Sequence, residues 1–88
     1  MAGRGELTVE IVAPDRVLWS GTAAGVSVPA AEGDMGLLPG HESVLSLLRA
    51  GTVRVRATGG GAAEEFAVES GFVSFDDDSV TVVVDAEG

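Results

Sequence analysis

Eighty-eight residues leave room for one domain with a small core, and the absence of cysteine removes disulfides, thiolate chemistry and cysteine zinc sites. Fourteen acidic residues against five arginines and no lysine give a formal charge of −9; this excludes a phosphate-tracking nucleic-acid surface, which must supply several cations to displace counterions. Hydrophobic residues make up 45%, too many for a chain held disordered by its charge, yet no apolar run approaches the roughly 20 residues of a membrane helix.

Met1–Glu6 carries no apolar signal segment, so a soluble, cytoplasmic protein is expected, with residues 1–5 flexible. The arginines all lie between Arg4 and Arg56, while the remainder is acidic. An acidic partner should therefore meet the first two thirds of the chain.

Alternation dominates from the start. Leu7, Val9 and Ile11 share one strand face, with Thr8 and Glu10 on the other. Ala13-Pro14-Asp15 is a turn, and Arg16–Ser20 a second strand that Gly21 ends, closing a hairpin. Ala24–Val28 is a third strand, with Val26 and Val28 inward, stopped at Pro29 because proline cannot donate to an interior ladder. Ala30–Gly40 reads as a loop that carries unusual apolar bulk in Met35, Leu37 and Leu38. Those side chains either form a protein interface or tuck beneath the sheets. Ser43–Arg49 has Leu45 and Leu47 on one face and Val44 and Leu48 nearly opposite; it is expected to be a strand.

Thr52–Ala57 places Val53 and Val55 inward and Arg54 and Arg56 outward. Gly59-Gly60-Gly61 forms a hairpin tip, and Glu64–Glu69 returns with Phe66 and Val68 inward. Phe72–Phe75, a turn at Asp76–Ser79 and a last strand Val80–Asp85 complete the chain. The result is an all-β single domain over residues 1–88, a flattened antiparallel sandwich or barrel of about ten short strands.

Catalytic chemistry would have to be built on His41, the only histidine, with Glu42, Asp34 and Glu32 near it in sequence. A general base needs an orienting acid and a nucleophile assembled in space, and no such pattern is visible. A metal site from His41, Glu42 and Asp34 has no recognised ligand spacing. Asp76, Asp77 and Asp78 lack the loop length and closing glutamate of a calcium site and read as a solvated turn. Gly33, Gly36 and Gly40 lack the lysine and the strand-to-helix context of a phosphate loop. No cofactor is implied. Trp19 reads as core, sharing a face with Val17, rather than as an interface anchor. Arg54 and Arg56 read as charge balance for Glu64, Glu65 and Glu69 across the hairpin.

The segment from Glu32 to Glu42, Glu-Gly-Asp-Met-Gly-Leu-Leu-Pro-Gly-His-Glu, resembles the Gly-x-x-Gly-Ile/Leu-x-Pro-Gly-His segment of the epsilon subunits of F-type ATP synthases. The likeness continues through Leu7–Pro14, Trp19-Ser20-Gly21, Leu48–Val55, Ser70–Val73 and Val80–Val83, in the family's order. The resemblance implies a ten-stranded sandwich in the rotating central stalk, without an active site of its own. It implies binding to the gamma subunit and to the c ring, and coupling of proton flow to nucleotide chemistry at the cytoplasmic face of the inner (plasma) membrane. On this reading Glu32, Gly33, Asp34, Met35, Gly36 and Leu37 contact the c ring, and Ala13, His41, Val44 and Ser46 face gamma. The family usually continues into a C-terminal helical hairpin; the sequence stops at Gly88, so coupling without that hairpin's inhibitory action is expected, with an isolated chain that is monomeric or weakly dimeric. The contrasting reading is a free-standing sandwich that binds a ligand or metal through His41 and nearby carboxylates.

Overall fold

The computed structural model describes residues 6–58 and 61–87. The expected flexible start at 1–5 and the glycines Gly59 and Gly60 of the expected hairpin tip lie outside the described residues. The chain forms β1 (Leu7–Ala13), β2 (Arg16–Ala23), β3 (Gly25–Ala30), β4 (Gly33–Leu37), β5 (Val44–Leu48), β6 (Gly51–Arg56), β7 (Glu64–Asp76) and β8 (Ser79–Glu87). There is no α-helix among the described residues.

Period-two alternation translates directly into burial, because successive side chains leave opposite faces of a strand. Leu7, Val9 and Ile11 are buried and Thr8 and Glu10 exposed; Val53 and Val55 are buried and Arg54 and Arg56 exposed. Eight strands form one continuous sheet, in the order β2-β1-β8-β7-β5-β3-β4, with β6 bridging β3 and β7. The sheet folds over itself into two layers whose inward residues, mostly valines, meet in one cluster together with Leu7, Ile11, Leu37, Leu48 and Phe75. All pairings are antiparallel except β1 with β8. The Cα radius of gyration is 11.8 Å.

The structure has eight strands among the described residues where about ten were expected, and Ser70-Gly71, read as a break between two strands, is a bulge within one. The N-terminal half of β7 pairs with β6, from Val55↔Glu64 to Gly51↔Val68. Its C-terminal half pairs with β5, from Leu48↔Gly71 to Val44↔Phe75. Register shifts at Val68/Ser70 and Ser70/Gly71 supply the bend between them. Gly71 has φ +155°, and a Cβ there would overlap the Val83 carbonyl oxygen, so β8 can approach only a glycine.

Three further expectations change. β3 runs through Pro29 instead of stopping there. The Pro29 carbonyl accepts from Arg49 N at 2.9 Å, so its missing donor faces the corner between β5 and β6, where no ladder partner is left wanting. The Pro29 ring lies over Gly51, where a Cβ would come within 2.8 Å of it. The segment read as a loop contains β4, joined to β3 by the tight turn Ala31-Glu32, with Ala30↔Gly33 and Val26↔Leu37 in register. Finally, β2 continues past Gly21 to Ala23, and a bulge at Leu18 puts Val17 opposite Val12 and Trp19 opposite Ile11. Trp19 accordingly packs against the core as expected, while Val17 turns outward.

The Gly71 bend yields a direct test. Gly71→Ala should lower the unfolding free energy by about 3 kcal/mol, since it combines a strained φ with overpacking. Gly36→Ala, at a site with nothing within 4 Å, should change it by less than about 0.5 kcal/mol. Urea denaturation followed by tryptophan fluorescence measures both.

Candidate functional site

Of the residues weighed from the sequence for catalysis or metal binding, His41 and Asp34 are engaged in local contacts. The His41 backbone N–H donates to the Leu38 carbonyl at 3.1 Å, and Nδ1 donates to the Glu42 carbonyl at 2.8 Å. Its ring meets Phe75 edge-on at a centroid distance of 5.6 Å. Asp34 is turned to Arg49, with Oδ1 3.3 Å from Nη2. No cluster of three metal-ligating side chains occurs among the described residues.

The three aspartates make a tight turn, as expected from their sequence. Asp76 pairs with Ser79, and Asp77 and Asp78 have φ of 54° and 60°, the two positive angles of a type I′ hairpin. Two of the carboxylates tie down the β4–β5 connection. Asp78 Oδ1 accepts from Gly40 N at 2.8 Å, and Asp76 Oδ1 accepts from the Ser43 hydroxyl at 2.9 Å. The turn therefore anchors the Pro39–Ser43 segment that carries His41.

The residues expected at the c ring divide by side-chain direction. Glu32 sits at the β3–β4 turn, and Asp34 and Gly36 lie on the outer face of β4, with Gly33 at its start. Met35 is half-buried against the core, and Leu37 is fully buried beside Val26. The Leu37 side chain is thus core, which corrects its expected place at an interface: period two sends it inward with Met35. Leu38, the third apolar residue of this segment, is exposed. Of the residues expected to face gamma, Ala13 ends β1 and is nearly buried, exposed His41 lies in the β4–β5 connection, and Val44 and Ser46 are half-buried on the core-side face of β5, which meets β3 in the ladder only at Leu48.

Sequence reasoning missed an apolar row on the surface. The ladder registers Leu47↔Phe72, Phe72↔Val83, Val83↔Val12 and Val12↔Val17 form an unbroken row across the outer face of β5, β7, β8, β1 and β2. Leu47 is 68% exposed, and Leu45, one step along β5, is 77% exposed. Leu45 and Leu47 had been visible as one face of a two-sided strand; their alignment with Phe72, Val83, Val12 and Val17 depends on long-range register. On the outer face of the other layer the pattern is polar, and Arg54 Nε lies 3.1 Å from Glu65 Oε2 across the ladder, as the cross-strand reading expected.

With this geometry in hand, the wider likenesses are clear. Residues 6–87 match the family model described as ATP synthase, Delta/Epsilon chain, beta-sandwich domain. A Streptomyces griseus protein named ATP synthase epsilon chain is 42% identical over 80 residues, covering 91% of this chain and 64% of its own length. A Micrococcus luteus protein of the same name is 46% identical over 77 residues, covering 88% of this chain and 84% of its own length. Among solved structures, a chain in the Euglena gracilis mitochondrial ATP synthase (OSCP/F1/c-ring) superposes with TM-score 0.84 at 23% identity, covering 91% of this chain and 51% of that one. A chain in the Tetrahymena thermophila mitochondrial ATP synthase central stalk/c-ring gives TM-score 0.72 at 16% identity, covering 90% and 63%. Both structural likenesses speak to the fold. The class is the β-sandwich of ATP synthase delta and epsilon chains, and this chain belongs to that family.

The anchoring role of the Asp76–Ser79 turn is testable without disturbing its backbone. Asp78→Gly keeps the positive φ and removes the carboxylate. It should lower stability by about 1 kcal/mol and speed hydrogen exchange at Gly40 while exchange in β1 and β8 follows only the global change. Amide exchange by NMR distinguishes these responses.

Proposed function

We propose that this chain acts as a non-catalytic central-stalk subunit of an F-type ATP synthase, binding the gamma subunit and the c ring and coupling proton translocation to ATP synthesis and hydrolysis. It would then be a peripheral part of the membrane complex on its cytoplasmic face. Family membership supports the assignment, and the observation that carries the docking mode is the apolar row from Leu47 to Val17.

Exposed apolar patches that cross a whole sheet mark interaction sites more often than chance surface composition. The row has no charged member, and the arginine-bearing outer face belongs to the other layer. In this reading gamma covers the row together with Leu45; of the residues proposed to face gamma, exposed His41 precedes β5, while Val44 and Ser46 lie on the opposite, core-side face of that strand and would meet gamma only at its open end. Ala13, at the end of β1, follows Val12 of the row but points to the core side. The β3–β4 turn, through Glu32, Gly33, Asp34, Met35 and Gly36, is directed to the polar loops of the c ring. Its hairpin is stiffened by the Arg49–Asp34 pair and by Arg49 Nε donating to the Ala30 carbonyl at 3.1 Å. A steady partner also suits a domain of this size, whose apolar burial leaves a modest stability margin.

Mixing the purified chain with the gamma subunit of the same organism should give a one-to-one complex in size exclusion with light scattering; absence of a complex with folded gamma overturns the reading. Leu45→Glu combined with Leu47→Glu should weaken that complex at least ten-fold, as removal of central apolar contacts does. Because both side chains are exposed, the urea midpoint should stay near that of the parent. If the double variant binds gamma unchanged, the apolar row is not the docking face.

A further inference from the structure

The outer face opposite the apolar row holds a trough along β3. One hollow of about 380 Å³ is floored by Gly25, Ser27 and Gly36 and walled by Leu38 on one side and by Arg54 and Arg56 on the other. It continues into a second hollow that shares Ser27 and Arg54 and ends at Pro29, Gly51, Asp34 and Arg49. Three of the five arginines of a chain with net charge −9 thus line one depression. The floor is low because glycine and serine occupy the outward positions of β3 and β4: Gly36, Ser27 and Arg54 stand in one cross-strand row.

The charges in the trough are only loosely committed. Arg54 is paired to Glu65 and Arg49 to Asp34, but all four side chains are more than half exposed, and exposed pairs of this kind are exchanged readily for other carboxylates. Arg56 has no carboxylate partner among the described residues; its guanidinium instead lies over Gly25, where a Cβ would come within 2.6 Å of Nη2. Arg54 and Arg56 are two residues apart on one strand, so their Cα atoms are separated by roughly 6.6 Å. Carboxylates at alternate positions of an extended segment repeat at the same spacing.

We propose that this trough is a docking site for an acidic polypeptide segment, which lies along β3 with alternate carboxylates on Arg54 and Arg56 and an apolar side chain against Leu38. The segment's carboxylate displaces Glu65 from Arg54, so Glu65 acts as a built-in competitor. A compact phosphate fits less well: the β3 and β6 strands spend backbone N–H groups on each other, and no cluster of free N–H donors converges on the hollow. A nucleic-acid backbone is disfavoured by the acidic remainder of the surface. The face lies on the other layer from the proposed gamma contact and can be occupied independently of it, whereas Gly36 and Asp34 belong both to the trough and to the proposed c-ring contact, so those two occupants compete there.

The probe is an N-acetylated, C-amidated octapeptide of alternating alanine and glutamate, titrated into the ¹⁵N-labelled chain at low, constant ionic strength. Shifts should concentrate at the amides of Gly25, Ser27, Gly36, Arg54 and Arg56, and the matching peptide with glutamine for glutamate should bind at least ten-fold more weakly. Arg54→Ala with Arg56→Ala should reduce affinity for the acidic peptide at least ten-fold, with the folded spectrum retained. Glu65→Gln should raise it two- to five-fold, a gain that general surface electrostatics at a distant site would not match; the control Glu10→Gln, on the other layer's outer face, should leave it within two-fold. Equal binding of the glutamine peptide, shifts scattered over the surface, indifference to the arginine substitutions, or no binding at millimolar peptide overturns the proposal. Inorganic phosphate at matched ionic strength that displaces the peptide and reproduces its shifts would replace it with a small-oxyanion site.

Discussion

The contact that organises the molecule is the approach of Gly71 to the Val83 carbonyl. Because no side chain separates them, β7 can bend within its own length and remain one strand while changing partner from β6 to β5. A single strand thereby serves both layers, and the corner Arg49-Ala50 lets β5 and β6 follow it. Pro29 packs on Gly51 at that corner, so a second close approach stabilises the same change of direction. The layers close over a valine-rich interior because valine fills a narrow gap between two pleated surfaces with little loss of rotamer freedom.

Closing the interior in this way determines what is left outside. Most strands contribute one face to the core and expose the other, β3 being buried except at Ser27, and the two outer faces differ in chemistry. Leu45, Leu47 and Phe72 with Val83, Val12 and Val17 make one of them apolar across five strands. Gly25, Ser27 and Gly36 with Arg54 and Arg56 make the other low, polar and locally cationic. The surplus of carboxylates elsewhere favours solubility in a domain that exposes such an apolar row.

The polar side chains of His41 and the aspartates serve the architecture. Asp76 and Asp78 spend their oxygens on the Ser43 hydroxyl and the Gly40 amide, and His41 spends its Nδ1 proton on a neighbouring carbonyl. These bonds carry the connection between β4 and β5 across the end of the sandwich and set the position from which β5 starts. The aspartate turn and the apolar row are therefore linked: the turn fixes the segment from which Leu45 and Leu47 are presented.

Local pattern was enough for the inward and outward residues of β1, β6 and the start of β7, for the aspartate hairpin and for the Arg54–Glu65 pair, since period two and turn chemistry act over a few residues. The Gly-x-x-Gly segment was legible as a family feature, yet its fate was not: Met35 and Leu37 face inward because β4 pairs with β3, and that pairing depends on a tight turn at Ala31-Glu32 rather than on any local excess of strand formers. The unity of β7, the passage of β3 through Pro29 and the outward turn of Val17 were likewise settled by long-range partners, through a bulge, a corner and a register shift. The sequence by itself determined that the chain is all-β, acidic and without a visible catalytic cluster, because composition and alternation are local quantities. Only the tertiary structure decided which exposed residues stand side by side, because a cross-strand row joins residues as distant in the chain as Val12 and Val83, and no local interaction encodes that alignment.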